Sequence, residues 1–354
     1  MTTVLAAVAV LSLLTLVHEL GHLWAAKWAG LRVEEFGLGY PPRLAAPARI
    51  GGTEYTLNLI PFGAFVRLAE EGEPGTLLAD KSPAVRAAFL IGGSALNLLL
   101  SIVLFSMCLA TGWPLAHDRA VGVTVVPGSV GQAVGFQDGD LILEANGVDV
   151  SSIVDLVVYA RSVKGDVRTV TIRRSGRNFT MALPAGGPWF VTTERRGVQL
   201  HNSAGWVEWV TYPWPEAVGK AVSEALGSVV ALFTLPLKIV RGRIPVDLVR
   251  PVGPVGIAHL TGQAAQEVIA RGWWLPLLQL TATLSAALAA TNLMPLPGLD
   301  GGRLLFVGVE AVRGRRLDPR RENLVHLMGI ILMLVLILIV TYYDITVPLQ
   351  LGGR

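Results

Sequence analysis

The chain has 354 residues, 52% of them hydrophobic and 16% charged, with a formal net charge of +3. That charged fraction is well below the roughly 25% of soluble domains and excludes an ordinary soluble globular protein, so the class is membrane protein. The small basic excess does not point to nucleic acid, because the basic residues gather beside apolar segments, where they orient a chain in the bilayer.

The first apolar segment runs from Val4 to Val17, continues through His18-Glu19-Leu20-Gly21-His22, and resumes at Leu23-Trp24-Ala25-Ala26. A stretch of about 20 apolar residues spans a bilayer as a helix. Ionisable groups inside a span are expensive to bury, so they mark function by default. Residues four apart share a helix face, so His18 and His22 are expected to grip one metal ion together. Glu19 then lies beside the metal, placed to take a proton from water. This is the His-Glu-x-x-His arrangement of zinc peptidases. The segment lacks a basic start, and the expectation is a retained span rather than a cleaved signal peptide.

After Lys27-Trp28 the period changes. Leu31 to Phe36, Thr53 to Ile60 and Ala64 to Leu68 read as strands, with Pro61-Phe62-Gly63 dividing the last two. Two readings stand for this stretch. One is a small soluble hairpin between spans; the other is a sheet against the metal helix with an edge open to an extended peptide. On the second reading the edge from Leu57 to Leu68 takes up substrate backbone, and the expected contacts are Leu57, Asn58, Leu59 and Gly63. A polar loop from Glu70 to Gly75 leads to a second span, about Phe89 to Trp113. It opens with Gly92-Gly93-Ser94-Ala95-Leu96-Asn97, small residues that let another helix approach, with Asn97 read as a packing residue. Cys108, the only cysteine, lies in this apolar run; it permits no intrachain disulfide and reads as inert.

From about Val121 to Pro184 the composition is that of a soluble domain. A helix is expected over Ile153–Arg161 and a strand pair over Arg168–Arg173 and Phe179–Leu183, with Asn146-Gly147 as a hairpin turn. The order of elements, with Gly139-Asp140 ahead of Asn146-Gly147, resembles a PDZ domain, a fold that adds a peptide as an extra strand. One copy is evident. Trp206, Trp209, Tyr212 and Trp214 suggest a chain at the membrane interface, and Ala217–Val240 reads as an amphipathic interfacial helix ahead of a possible fifth span. A third span is expected over about Trp273–Leu296 and a fourth over about Leu324–Tyr343. The loop between them holds Arg313, Arg315, Arg316, Arg320 and Arg321. Together with the basic residues after the first span, these place both short loops in the cytoplasm and the PDZ-like domain outside.

A catalytic zinc usually takes three protein ligands. His117, His201, His259 and His326 are poor candidates for the third, being placed outside, before the third span, or at the start of the fourth. Asp300 is better placed, because it follows a span broken by Pro295 and Pro297, and such breaks line polar cavities. An N-cap role ahead of Gly301-Gly302-Arg303-Leu304 is an equal rival on these residues alone.

His18-Glu19-Leu20-Gly21-His22 in a first span, a PDZ-like insert, and Asn292-x-x-Pro295-x-x-x-Leu299-Asp300-Gly301 together resemble the site-2 protease family. Gly253 to Ile257 and Gly51 to Tyr55 resemble the bacterial sigma-factor-regulating branch of these intramembrane metalloproteases. The resemblance implies that His18, His22 and Asp300 bind Zn2+, that Glu19 is the general base, that the β region lies in the membrane, and that Asn292 helps hold substrate. It departs in having a single PDZ-like unit where some relatives carry two.

The expected fold is a polytopic α-helical membrane protein of about four transmembrane helices, with a membrane-associated β-hairpin or sheet and one inserted extracytoplasmic PDZ-like domain. The expected boundaries are 1–29 for the first helix with the zinc motif, 30–70 for the β region and 86–113 for the second helix. They continue with 119–186 for the PDZ-like domain, 187–272 for the interfacial segment and 273–297 for the third helix, then 298–323 for the loop with the aspartate and 324–345 for the fourth helix. The expected function is an intramembrane zinc endopeptidase of a bacterial plasma membrane, cutting single-pass membrane proteins such as anti-sigma factors, with a peptide at the PDZ-like domain and no nucleic-acid partner. The alternatives are a non-catalytic membrane PDZ adaptor with a structural metal, against which Glu19 argues, and a zinc transporter, which would need polar groups along several spans.

Overall fold

The computed structural model describes residues 2–69, 75–125, 127–183, 198–244, 249, 251–315 and 318–346. The expected loop residues 70–74, the end of the PDZ-like stretch at 184–197, and Arg316 lie outside the described residues. The chain divides into two compact units, Met1–Thr111 with Tyr212–Thr234 and Pro251–Leu351, and Gly112–Thr211 with Leu235–Arg250.

In the first unit, α1 (Thr2–Trp28) and α2 (Pro83–Thr111) are long, apolar helices. At 27 residues α1 extends about 40 Å, more than a bilayer's hydrocarbon core. The two cross at a pair of glycines. A Cβ on Gly21 would lie 2.2 Å from the Gly92 carbonyl oxygen, and one on Gly92 would lie 2.7 Å from the Gly21 carbonyl oxygen. Only residues without a side chain allow backbones to touch there.

Between these helices lie β1 (Val33–Ile50) and β2 (Thr53–Leu68). Their register is folded over: residues 35–38 of β1 partner both 64–67 and 54–57 of β2, while residues 43–50 partner 53–58. Each long strand therefore works as two short ones. A buried carboxylate clamps the fold, since Glu35 accepts hydrogen bonds from Thr56 at 2.7 Å and Arg43 at 3.0 Å, and pairs with Arg67 at 2.8 Å.

The remaining helices of this unit are α6 (Pro254–Arg271), α7 (Leu275–Leu293), α8 (Asp300–Arg313) and α9 (Pro319–Thr346). Helix α6 begins with no side-chain cap of its own. The buried N–H groups at its start are met instead by Asp344 of α9, whose Oδ2 accepts from Gly253 at 3.0 Å and Gly256 at 2.8 Å. A Cβ on Gly253 would come within 2.8 Å of that carboxylate, which explains the Gly-Pro-Val-Gly run. Helix α7 buries Ala282, Ala286, Ala289 and Ala290, and packs against α2. Arg86 of α2 and Glu310 of α8 form a mostly buried ion pair that ties α8 to α2.

In the second unit, β3 (Trp113–Val125), β4 (Leu141–Ala145), β6 (Thr169–Arg174), β7 (Arg177–Ala182) and β8 (Val198–Val210) form an antiparallel sheet in the order β7-β6-β4-β3-β8, with β5 (Val148–Asp149) beside β4. The helices are α3 (Val130–Val134) and α4 (Ile153–Ser162). The core is Val121, Val123, Phe136, Ile142, Leu156, Val170, Ile172 and their neighbours. Asn146 and Gly147 take φ of +48° and +77° with Ala145 partnering Val148 across them, the hairpin turn their sequence implies. Fully buried Asp140 is neutralised by a two-pronged contact with Arg174 at 2.6 and 2.7 Å.

Among the described residues, four helices are long and apolar enough to cross a membrane: α1, α2, α5 (Trp214–Val240), and Leu324–Thr346 of α9. This set differs from the expected one. The segment read as interfacial forms one unbroken helix of 27 residues. Glu216, Lys220 and Glu224 gather in the first three turns, and Pro236 and Lys238 fall near the end, so a long apolar stretch survives between them. The expected third span is α7, of 19 residues, which is not in the set because Gln279, three threonines, Ser285 and Asn292 dilute its apolar content.

Candidate metal centre

Both histidines of the motif are buried on the face of α1 turned toward α2. His18 Nε2 and His22 Nε2 are 3.1 Å apart, and each is 3.1 Å from Asp300 Oδ2. A tetrahedral zinc bonded at about 2.0–2.1 Å holds neighbouring ligand atoms about 3.3 Å apart. The three atoms therefore form the triangle such an ion needs, with two neutral nitrogens and one carboxylate oxygen as donors. Among the described residues it is the one group of three or more histidines, cysteines and carboxylates close enough to hold an ion.

Each ligand is set by its surroundings. His22 Nδ1 lies 2.9 Å from the Phe89 carbonyl oxygen, an acceptor only, so that nitrogen carries the proton and Nε2 keeps its lone pair for a metal. Gly93 brings α2 up to the rings, for a Cβ there would sit 2.6 Å from both His18 Cε1 and His22 Nε2. Asp300 opens α8, whose N-cap is Leu299, so the aspartate is the first helical residue rather than the cap. The turn ahead of it is fixed from α9, where buried His326 accepts the Gly298 N–H at Nδ1, 3.0 Å away. Gly298 takes φ of +95°, and Gly301 and Gly302 would drive a Cβ into the Met294 and Leu296 carbonyl oxygens. The break at Pro295 and Pro297 thus folds the chain back tightly enough to aim Asp300 at α1.

Glu19 is not part of the triangle. Its carboxylate lies in the field of His18, His22 and Asp300 and accepts the backbone N–H of Val66 in β2. Asn292 lies at the site, with Nδ2 3.4 Å from each ring nitrogen of His18. The expected substrate contacts are spread more widely. Leu57 and Leu59 are exposed, and Gly63, at φ +78°, lies near Thr15, one turn before His18. Asn58 is buried and donates to the Gly39 carbonyl at 3.1 Å, which engages its amide nitrogen within the sheet. Four contributors to the site carried no mark in the sequence: Val66 N–H, the Phe89 carbonyl, Gly93 and His326. The nearest signal was the small-residue run Gly92-Gly93, read only as a helix contact.

A His-Glu-x-x-His pair closed by a distant aspartate among long apolar helices is the metal site of a membrane zinc metalloprotease. Residues 6–336 match peptidase family M50, and the chain belongs to that family. It is similar to the zinc metalloprotease RasP of Geobacillus kaustophilus, with 27% identity over 430 residues, covering 97% of each chain. It is also similar to the Clostridium perfringens protein named "Putative zinc metalloprotease CPE1693", with 30% identity over 343 residues, covering 96% of this chain and 97% of that one.

Proposed function

We propose that this zinc metalloprotease is an intramembrane endopeptidase of the site-2 type, which cuts peptide bonds within the membrane-spanning helices of single-pass proteins. The observation that carries the reading is the position of the metal triangle, inside the C-terminal half of the apolar helix α1 and walled by α2, where hydrolysis would occur at membrane depth.

In this reading His18, His22 and Asp300 hold zinc. The ion supplies Lewis-acid chemistry, acidifying water and polarising the scissile carbonyl. Glu19 is the general base. Its carboxylate is oriented by the Val66 N–H, accepts a proton from water, and returns it to the leaving nitrogen. Asn292, half-buried beside His18, donates its amide toward the substrate backbone. A helical substrate hides its amides in internal hydrogen bonds, so a stretch must unwind before attack. The β2 segment running through Gly63 and Val66 lies against Glu19, and its free backbone groups would receive the unwound strand by β-addition. Leu57 and Leu59 would give that strand apolar contact.

We read the second unit as a PDZ-like domain. Its five-strand antiparallel path with β8 at one edge, together with α4, supports strand addition of a peptide there. Its role would be to screen substrates, with anti-sigma factors the class expected from the sigma-factor branch. The bacterial relatives and the basic short loops support a bacterial plasma membrane with those loops inside.

The test uses purified protein in detergent and a labelled single-pass helical peptide. The wild type is expected to cut it within the helix, and Glu19→Gln is expected to keep zinc while losing about 10²–10⁴ of the rate. A wild type that cuts unfolded casein but leaves the helix intact would refute the intramembrane reading. Glu19→Gln cutting at the wild-type rate would refute the base assignment.

A further inference from the structure

We infer that Asn97 is the positioning residue of His18: its side-chain carbonyl holds the proton on Nδ1, so that Nε2 is free to bind zinc. The inference rests on the reading of His18 as a zinc ligand.

A neutral imidazole has one N–H and one lone pair. For His18 and His22 the atoms in the triangle are both Nε2, so both rings need the proton on Nδ1 and an acceptor to meet it. His22 has one in the Phe89 carbonyl. Around His18 Nδ1 the polar side-chain contacts are the amides of Asn97, with Nδ2 at 3.5 Å, and of Asn292, with Nδ2 at 3.4 Å.

The two asparagines differ. Asn97 is fully buried, and its Oδ1 has no hydrogen-bond partner among the described residues. A buried carbonyl oxygen left without a donor is costly, and such an atom in a native fold calls for an explanation. Turning the amide half a revolution about Cβ–Cγ interchanges Oδ1 and Nδ2 without moving the backbone. That places the orphaned oxygen within reach of His18 Nδ1 and gives it the donor it lacks. The backbone is anchored for the purpose, because Ser285 of α7 donates to the Asn97 carbonyl at 2.7 Å. Asn292 is only half-buried and lies equally close to both ring nitrogens, so it faces the reaction space instead. Full burial removes Asn97 from any contact with substrate. It acts through His18 alone.

Zinc affinity of the full chain in detergent, read by competition with a chelator, tests this with two variants. Asn97→Leu keeps the volume and removes the acceptor; zinc should bind 10–100-fold more weakly, the range for lost support behind a ligand. Asn97→Asp can only accept, and should bind zinc within about threefold of wild type, a small part of that range. A residue that merely filled space would give the opposite order, because a buried carboxylate without a proton donor is worse than leucine. Asn97→Leu binding like wild type, or Asn97→Asp losing as much as Asn97→Leu, would overturn the inference. A third readout needs no variant: in the zinc-loaded wild type the His18 Nδ1 nitrogen resonance should be that of a protonated, hydrogen-bonded nitrogen. An unprotonated Nδ1 would overturn it equally. A wild type that takes up no zinc would fail the metal site itself, a result distinct from all of these.

Discussion

Gly93 sits where α2 meets the two imidazoles, and Gly93→Ala is the sharpest perturbation of the centre that leaves every ligand in place. The new methyl carbon would lie 2.6 Å from His22 Nε2 and His18 Cε1 and 2.8 Å from His18 Nδ1, where ordinary contact begins at 3.4 Å. The rings must retreat by about 0.8 Å, roughly four times the 0.2 Å within which metal–ligand distances hold. Neither ring can do so freely, since His22 is tied to the Phe89 carbonyl and both rings face Asp300. We expect a loss of zinc affinity of at least 10-fold, with a folding cost of about 1–3 kcal/mol for the overpacked contact. The assay is chelator competition together with thermal unfolding. Gly227→Ala is the control, because Gly227 lies in a helix with nothing within 4 Å of an added methyl group. That change should leave zinc binding untouched and the helix unharmed or firmer. Gly93→Ala binding zinc within threefold of wild type would show that the rings do not crowd α2 as described.

His326→Leu strands the Gly298 N–H and slackens the turn that carries Asp300, so both melting temperature and zinc affinity should fall; a drop in stability alone would leave His326 a packing residue. Asp344→Ala leaves the N–H groups of Gly253 and Gly256 buried without an acceptor, at about 1–3 kcal/mol each, and an unchanged melting temperature would refute the cap. Burial works against the charge on Glu35, but the Thr56 hydrogen bond and the Arg43 and Arg67 partners outweigh it and lower its pKa. A carboxylate lowered in the folded state contributes stability above its unfolded pKa and loses it as pH falls through the folded one. The advantage of wild type over Glu35→Gln in thermal unfolding should therefore be full at neutral pH and shrink on acidification. A gap that stays constant into the acid range would refute the pairing.

Much of the centre was legible in one dimension because its physics is local. His18 and His22 share a face through the helix repeat, and an apolar context makes two imidazoles conspicuous. The hairpin at Asn146-Gly147 is legible for the same reason, since the turn's backbone angles are demanded by two adjacent residues. Asp300 was visible only as a candidate, with an N-cap role standing level with it. Choosing between them required the position of α8, which depends on contacts some 280 residues apart in the chain. The partner of Asn58, the Gly39 carbonyl, was not legible at all, for a polar residue in a strand carries no sign of which backbone group it meets.

The amino-acid sequence by itself determined the membrane class, the metal pair and the place of Glu19 beside it, because composition and helical periodicity act over a few residues. Tertiary structure alone decided how the ligands are held: the Phe89 carbonyl behind His22, Gly93 against both rings, Val66 beside Glu19, and His326 beneath the Asp300 turn. These are contacts between backbone groups or small residues on separate helices and strands. A peptide carbonyl is chemically the same at every position, so its role exists only once the chain has brought it to a particular imidazole.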